Sequence, residues 1–359
     1  MIFRSSTLVV AAVLGAGPAS VAGCERGMLS GGGGGNGGGT GLGGSITGIG
    51  GGMSCAGIYR PVAPAGLDVL VVVAASASMD WDATNTTCSG GCGATSKWAQ
   101  ATAAINTVVS QTQSTVGWGL KLVPEDRAGL CTVAAGPTLP VAADDASSMA
   151  AALAFRTSAN GGLSNGGNNA TRTAVDAAAS HLSTLTDDHR RVIVLVTDGV
   201  SNCPPDDGAD DGTLAVQAIM QAARMGFPTF VVGFAPAPEA YTGLDRMAVA
   251  GGMNGTTPLT FSHVASTSEL ATALRTTVAD SARCVFTIPP PPNNDGTLTR
   301  SSISVAIDGE QVPYDSTHEN GWDHTDYSYE HLQLYGPVCD RLMAAAPPAV
   351  TVAFQCVLH

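Results

Sequence analysis

Lysine occurs at only two positions, Lys97 and Lys121, in a chain of 359 residues. Against 16 Lys plus Arg stand 29 Asp plus Glu, a formal net charge of -13, and no basic run exists that could track phosphates. Nucleic acid and anionic lipid headgroups are therefore excluded as expected partners. Beyond the amino-terminal segment no apolar run approaches the roughly 20 residues of a membrane-spanning helix. Gly162-Leu163-Ser164-Asn165-Gly166 fits Gly-x-Ser-x-Gly in letters but follows no expected strand, so the nucleophile elbow of a serine hydrolase is not expected. Cys-x-x-Cys is missing, Cys88-x-x-x-Cys92 stands alone, and the seven histidines are scattered without metal-ligand spacing, so a zinc centre is not expected. The paired acids Asp187 and Asp188 fall in a polar turn. These absences lead to the expectation that the chain is not an enzyme.

What is present begins with a targeting signal. Arg4, the apolar run 8–14 and small residues up to Gly23 read as a secretory signal over residues 1–23. Val21-Ala22-Gly23-Cys24 resembles the bacterial lipobox, in which the cysteine becomes the lipidated first residue; the competing reading is an ordinary signal that leaves Cys24 as a thiol. Nine cysteines minus Cys24 leaves eight, an even number suited to disulfides in an oxidising compartment. Glu25 after the cysteine favours the outer membrane over the inner. The expected location is the bacterial cell envelope, with the membrane reached through the N-terminal lipid. Residues 24–54, mostly glycine, form a flexible linker spanning about 25–30 Å.

Residues 55–284 alternate strand-like and helix-like patterns, the signature of an α/β domain. The expected fold is a doubly wound, mostly parallel Rossmann-like sheet with helices on both faces. Strands are expected at 68–73, 116–123, within 132–141, at 192–197, 227–234 and around 259–263. Residues 68–73 form a continuous apolar run of the kind buried on both faces. Helices are expected at about 96–111, 145–155, 171–185, 214–225 and 244–250. Ser266 and Glu269 form a capping box that opens a last helix, to about residue 281. Residues 285–359 change to period-two segments with a proline run, and Asp308-Gly309 gives a type I′ hairpin signal. This reads as a small β-rich C-terminal appendage.

Two loops carry the chemistry. The first strand runs into Ala74, Ala75, Ser76, Ala77, Ser78, and the strand at 192–197 runs into Asp198 and Gly199. The pair resembles the metal-site loops of a von Willebrand factor type A domain, which usually carries Asp-x-Ser-x-Ser after its first strand and Thr-Asp-Gly after its fourth. The resemblance implies a divalent ion, Mg²⁺ or Ca²⁺, held by oxygen ligands. On this chain Ser76, Ser78 and Asp198 match, while Ala74 replaces the first-loop Asp. In the third loop Asn169 stands for the ligand Thr, with Thr171 structural; a one-residue slip is the other alignment. With one carboxylate of two, the site is expected to bind metal weakly or not at all. Asp80, Asp82, Asp206, Asp207, Asp210 and Asp211 are the acids near enough in sequence to compensate; the other reading makes them solvated loop charges.

On this topology Cys88, Cys92, Cys131 and Cys203 fall on loops of the binding face, where two disulfides would stiffen them. Cys55 and Cys284 fall at the opposite end and are expected to clamp the domain's termini, leaving Cys339 and Cys356 within the tail. The resemblance implies adhesion or protein–protein binding to a protein ligand. The alternatives are a structural envelope component with a vestigial site and, third, a secreted hydrolase.

Overall fold

The computed structural model describes residues 60–124, 131, 133–143, 145–155, 168–203, 208–252, 260–289, 303–325, 329–342 and 349–354. The signal segment, Cys24, the glycine-rich linker, Cys55, Asp206, Asp207 and Cys356 lie outside these residues.

Two short strands, β1 (Arg60–Pro61) and β2 (Ala63–Pro64), precede β3 (Leu67–Ala74). There follow α1 (Lys97–Thr112), β4 (Val116–Val123), β5 (Leu139–Ala142), α2 (Ala146–Phe155) and α3 (Thr171–Leu182). Next come β6 (Arg190–Thr197), α4 (Asp211–Arg224), β7 (Thr229–Phe234), α5 (Tyr241–Ala250), β8 (Ser262–Val264) and α6 (Thr267–Ala282). The remainder is β9 (Val285–Thr287), β10 (Ile303–Ile307), β11 (Glu310–Val312), β12 (Gly321–His324), β13 (His331–Tyr335), α7 (Pro337–Leu342) and β14 (Val350–Phe354).

Six strands form the central sheet in the order β5-β4-β3-β6-β7-β8, parallel except for the edge strand β5. β3 shows why an unbroken apolar run suits its middle. Val69, Val71 and Val73 pack into the cluster under α1, α2 and α6, while Leu70 and Val72 pack into the cluster under α3, α4 and α5. Each such side chain contributes about 1.5–3 kcal/mol through burial. β5 carries Pro140 and is an edge strand, where one N–H of the ladder can be given up. The segment before it is tied down by Lys121, whose Nζ donates to the carbonyls of Ala134 at 2.7 Å and Gly136 at 2.6 Å. Ser266 caps α6 by accepting from Glu269 N–H, and Glu269 Oε2 in turn accepts from Ala265 N–H.

The strands after α6 form two further four-stranded sheets, β1-β14-β10-β11 and β12-β13-β9-β2. Their facing apolar residues, among them Val305, Val352, Leu332 and Trp322, make one shared core. β1 and β2 belong to these sheets although they precede the α/β unit, pairing with β14 and β9 respectively. The α/β unit thus leaves from and returns to one β sandwich, a connection that the reading of a purely C-terminal appendage lacks. Asp308 and Gly309 both have positive φ, 49° and 84°, and turn β10 into β11.

The disulfides differ from expectation at one point. Cys88 joins Cys92 and Cys131 joins Cys203, both on crevice loops. Cys284 joins Cys339, not Cys55. The reason is local: Cys284 turns the chain from α6 into β9 with φ of 53°, and its side chain enters the sandwich core, where Cys339 of α7 also lies.

Candidate functional site

The sheet order reverses between β3 and β6, since β4 and β5 lie to one side and β7 and β8 to the other. Ligands of open parallel sheets bind beyond the carboxyl ends of such a pair. From β3 the chain passes Ser76 into a 3-10 turn, Ala77–Asp80; from β6 it passes directly to Asp198. The segment entering α3 is laced to the second loop. Asn169 N–H donates to Asn202 Oδ1 at 2.6 Å, and the Asn169 carbonyl accepts from Ser201 Oγ at 3.0 Å and Asn202 N–H at 3.1 Å.

Ser76, Ser78 and Asp198, far apart in sequence, meet here. Ser76 Oγ lies 3.1 Å from Ser78 Oγ and donates to Asp198 Oδ1 at 3.5 Å. Residues 69–200 match the family model of the von Willebrand factor type A domain. The six-stranded unit to which these residues belong has the α/β fold of that domain. No curated protein matches the chain. Among solved structures it is similar to the protein BatB of Bacteroides thetaiotaomicron, at 16% identity and a TM-score of 0.42, over 60% of this chain and 99% of that one. It is similar to the pilus adhesin SpaC of Lactobacillus rhamnosus GG, at 12% identity and a TM-score of 0.46, over 81% of this chain and 38% of the adhesin. The PilB minor pilin of Streptococcus sanguinis gives 14% and 0.42, over 62% of this chain and 64% of the pilin.

The residue that governs charge in the crevice beyond β3 and β6 is one that sequence reasoning passed over. Lys97, the first residue of α1, is completely buried, and its Nζ donates to Asp198 Oδ2 at 2.9 Å and to Asn85 Oδ1 at 2.6 Å. Asn85 is held in turn, with φ of 61° and its amide donating to the Ala235 carbonyl at 3.2 Å. Ser96 caps α1 by accepting from Ala99 N–H, and Lys97 N–H donates to the Trp81 carbonyl at 2.8 Å, so the helix start is pinned against the first loop. A signal for Lys97 did exist. A cation at a helix N-terminus opposes the helix dipole, so a lysine there needs another partner.

The fold family implies a divalent ion at this crevice, and the residues do not fit one. Ala74, buried at the end of β3, offers no carboxylate. Both oxygens of Asp198 are engaged, one by a hydroxyl and one by an ammonium. Of the described neighbouring acids, Asp82, Asp210 and Asp211 are engaged elsewhere. Asp82 accepts from Thr84 and Thr86 in a local turn, which lowers its carboxyl below the ordinary range, led by the Thr86 N–H. Asp210 caps α4, accepting from Thr213 N–H at 3.0 Å. Asp211 is buried, accepting from Cys203 N–H at 2.7 Å and from Arg172 Nε at 3.3 Å. Asp80 keeps a part-buried carboxyl whose pKa burial raises. Asn169, 7% exposed, keeps one oxygen, Oδ1, without a partner. Thr171 is buried at the start of α3.

A second acidic group lies at the other end of the sheet. Ligand atoms of Asp68, Asp187 and His189 fall within 4.8 Å of one another. Two ion pairs account for this group: His189 Nδ1 with Asp68 Oδ1 at 3.0 Å, and Arg191 with Asp187 at 2.8 Å. Burial pushes the His189 pKa down, but the hydrogen bond and charge of Asp68, with Asp187 and Asp188 nearby, outweigh it and raise the value above 6.5. A raised histidine contributes stability fully present below 6.5 and lost as pH climbs through the raised value. Asp68, itself raised by burial, titrates from 3.8 upward, and His181, lowered by burial, titrates below 6.5. The difference between wild type and His189→Gln isolates the pair. In urea melts taken from pH 6 to about pH 8, the wild-type advantage over His189→Gln should shrink as pH rises; a difference that stays constant would dismiss the charged pair.

Proposed function

We propose that the chain is a lipid-anchored protein of the bacterial cell envelope, held at the outer membrane through Cys24, whose type A domain mediates adhesion or binds a protein partner without catalysing a reaction. The observation that carries this reading is an exposed aromatic side chain beside a crevice whose loops are already fixed. Trp81 is 37% exposed, and Lys97 Nζ stands 5.9 Å from its ring. The Cys88–Cys92 and Cys131–Cys203 bridges hold the loops around it. Loops immobilised beforehand lower the entropic cost of association, and tryptophan is among the residues that most often dominate binding energy. At the crevice Ser76 Oγ bonds Ser78 and Asp198 and, among the described residues, no imidazole, which disfavours Ser76 as a hydrolase nucleophile.

The test uses the full chain on beads, presented to an array of extracellular and envelope proteins. Saturable binding to one protein is expected, weakened roughly tenfold or more by Trp81→Ala and unchanged by chelator. Equal binding by Trp81→Ala would move the contact away from the crevice. Binding only to partners that also stay bound through purification would favour the structural-component reading. Cys24→Ser should shift the chain from the membrane fraction to the soluble one, and retention in the membrane would end the lipid-anchor proposal.

A further inference from the structure

We propose that Lys97 is a built-in cation that replaces the divalent ion in the type A crevice, so that recognition there cannot run through a metal. The inference shares its location with the proposed binding site, but its test involves no partner, so either can fail alone.

Four observations carry it. The single carboxylate of the described site, Asp198, is already compensated by the Lys97 ammonium at 2.9 Å. The two side chains are 1% and 2% exposed, so water does not screen the pair and a dication brought beside it would find no net negative charge to offset its own. Lys97 is fixed from behind by Asn85, from its backbone by Trp81, and through α1 by the Ser96 cap. Ala74 removes the acid that would justify a second positive charge. Loss of one anion together with gain of an ammonium leaves the crevice electrically balanced. Against these stands one orphaned acceptor, Asn169 Oδ1. A lone neutral oxygen does not hold a hard dication, which takes six or more oxygen ligands. A partner carboxylate would thus find no ion to ligate at this crevice.

The experiment is calorimetric titration of the full chain with MnCl₂, beside thermal melts with and without chelator. Wild type is expected to show no binding heat up to millimolar Mn²⁺ and the same melting temperature with chelator. Lys97→Met combined with Ala74→Asp should gain Mn²⁺ binding at least tenfold tighter than any wild-type signal, and should melt higher with Mn²⁺ present. Asn169→Ala in that background should weaken the gained binding. Wild-type binding that Asp198→Asn abolishes would overturn the proposal, as would a folded double variant that ignores Mn²⁺. If Lys97→Met does not fold in that combination, Lys97→Met with Asp198→Asn removes both charges at once. Unchanged Mn²⁺ silence in that pair supports the proposal, whereas metal binding by it would show an ion site independent of Asp198 and overturn it.

Discussion

Lys97→Met alone is expected to lower folding stability by about 3–5 kcal/mol, read as a fall in the urea midpoint with unchanged slope. The loss is large because Asp198 stays behind. Its side chain is 2% exposed, and removal of the ammonium leaves Oδ2 with no described donor. Methionine nearly matches the volume of the lysine stem, so packing contributes little to the change. Adding Asp198→Asn should then recover much of the loss, since an amide in place of the carboxylate removes the stranded charge. Near-UV circular dichroism is a suitable probe, because Trp98 of α1 and Trp118 of β4 sit in the α/β core. A cost below about 1 kcal/mol, the range of exposed pairs, would mean that the pair is open to water.

Removing the Cys131–Cys203 bridge by paired serine substitutions should cost about 4 kcal/mol, because the bridge closes a segment of 72 residues and its loss releases that closure entropy into the unfolded chain. The Cys88–Cys92 bridge spans only 4 residues, and on the same reasoning its loss should cost about half as much. The comparison is internal, as both bridges lie on the same face. If the short bridge proves the costlier, the crevice is stabilised by native-state contacts of that loop and not by chain closure. Cys203 is buried and its N–H donates to Asp211, a hydrogen bond that ties the bridged loop after β6 to the start of α4.

How much of this was legible depends on the range over which each interaction acts. β4 is found at 116–123 as its apolar pattern predicts, and the run at 68–73 lies inside β3, because a strand buried on both faces leaves an unbroken hydrophobic record. Asp308 and Gly309 turn as expected because the two residues themselves demand positive φ. β1 and β2 left no such record. Each has two residues and ends in proline, and what makes them strands is a partner more than 200 positions away. β12 was hidden for a different reason: its residues Gly321–His324 are all buried, yet they include Asp323 and His324, which alternation rules place outside. The two serines and Asp198 could be found from loop sequence. Lys97 could not be found by loop reading, since its partner lies 101 residues on and only its place at a helix start, where a cation opposes the dipole, points to one. The Cys284 pairing failed because a helix-to-strand turn decides which core a sulfur enters, and position along the sheet does not.

Both lysines of the chain are completely buried, one against Asp198 and the other against backbone carbonyls of the β5 approach. The folded domain therefore presents no lysine amine to the outside. Reagents that acylate amines, and enzymes that cut after or conjugate to lysine, meet these two side chains only when the α/β unit opens, which makes their labelling rate a direct clock for that opening.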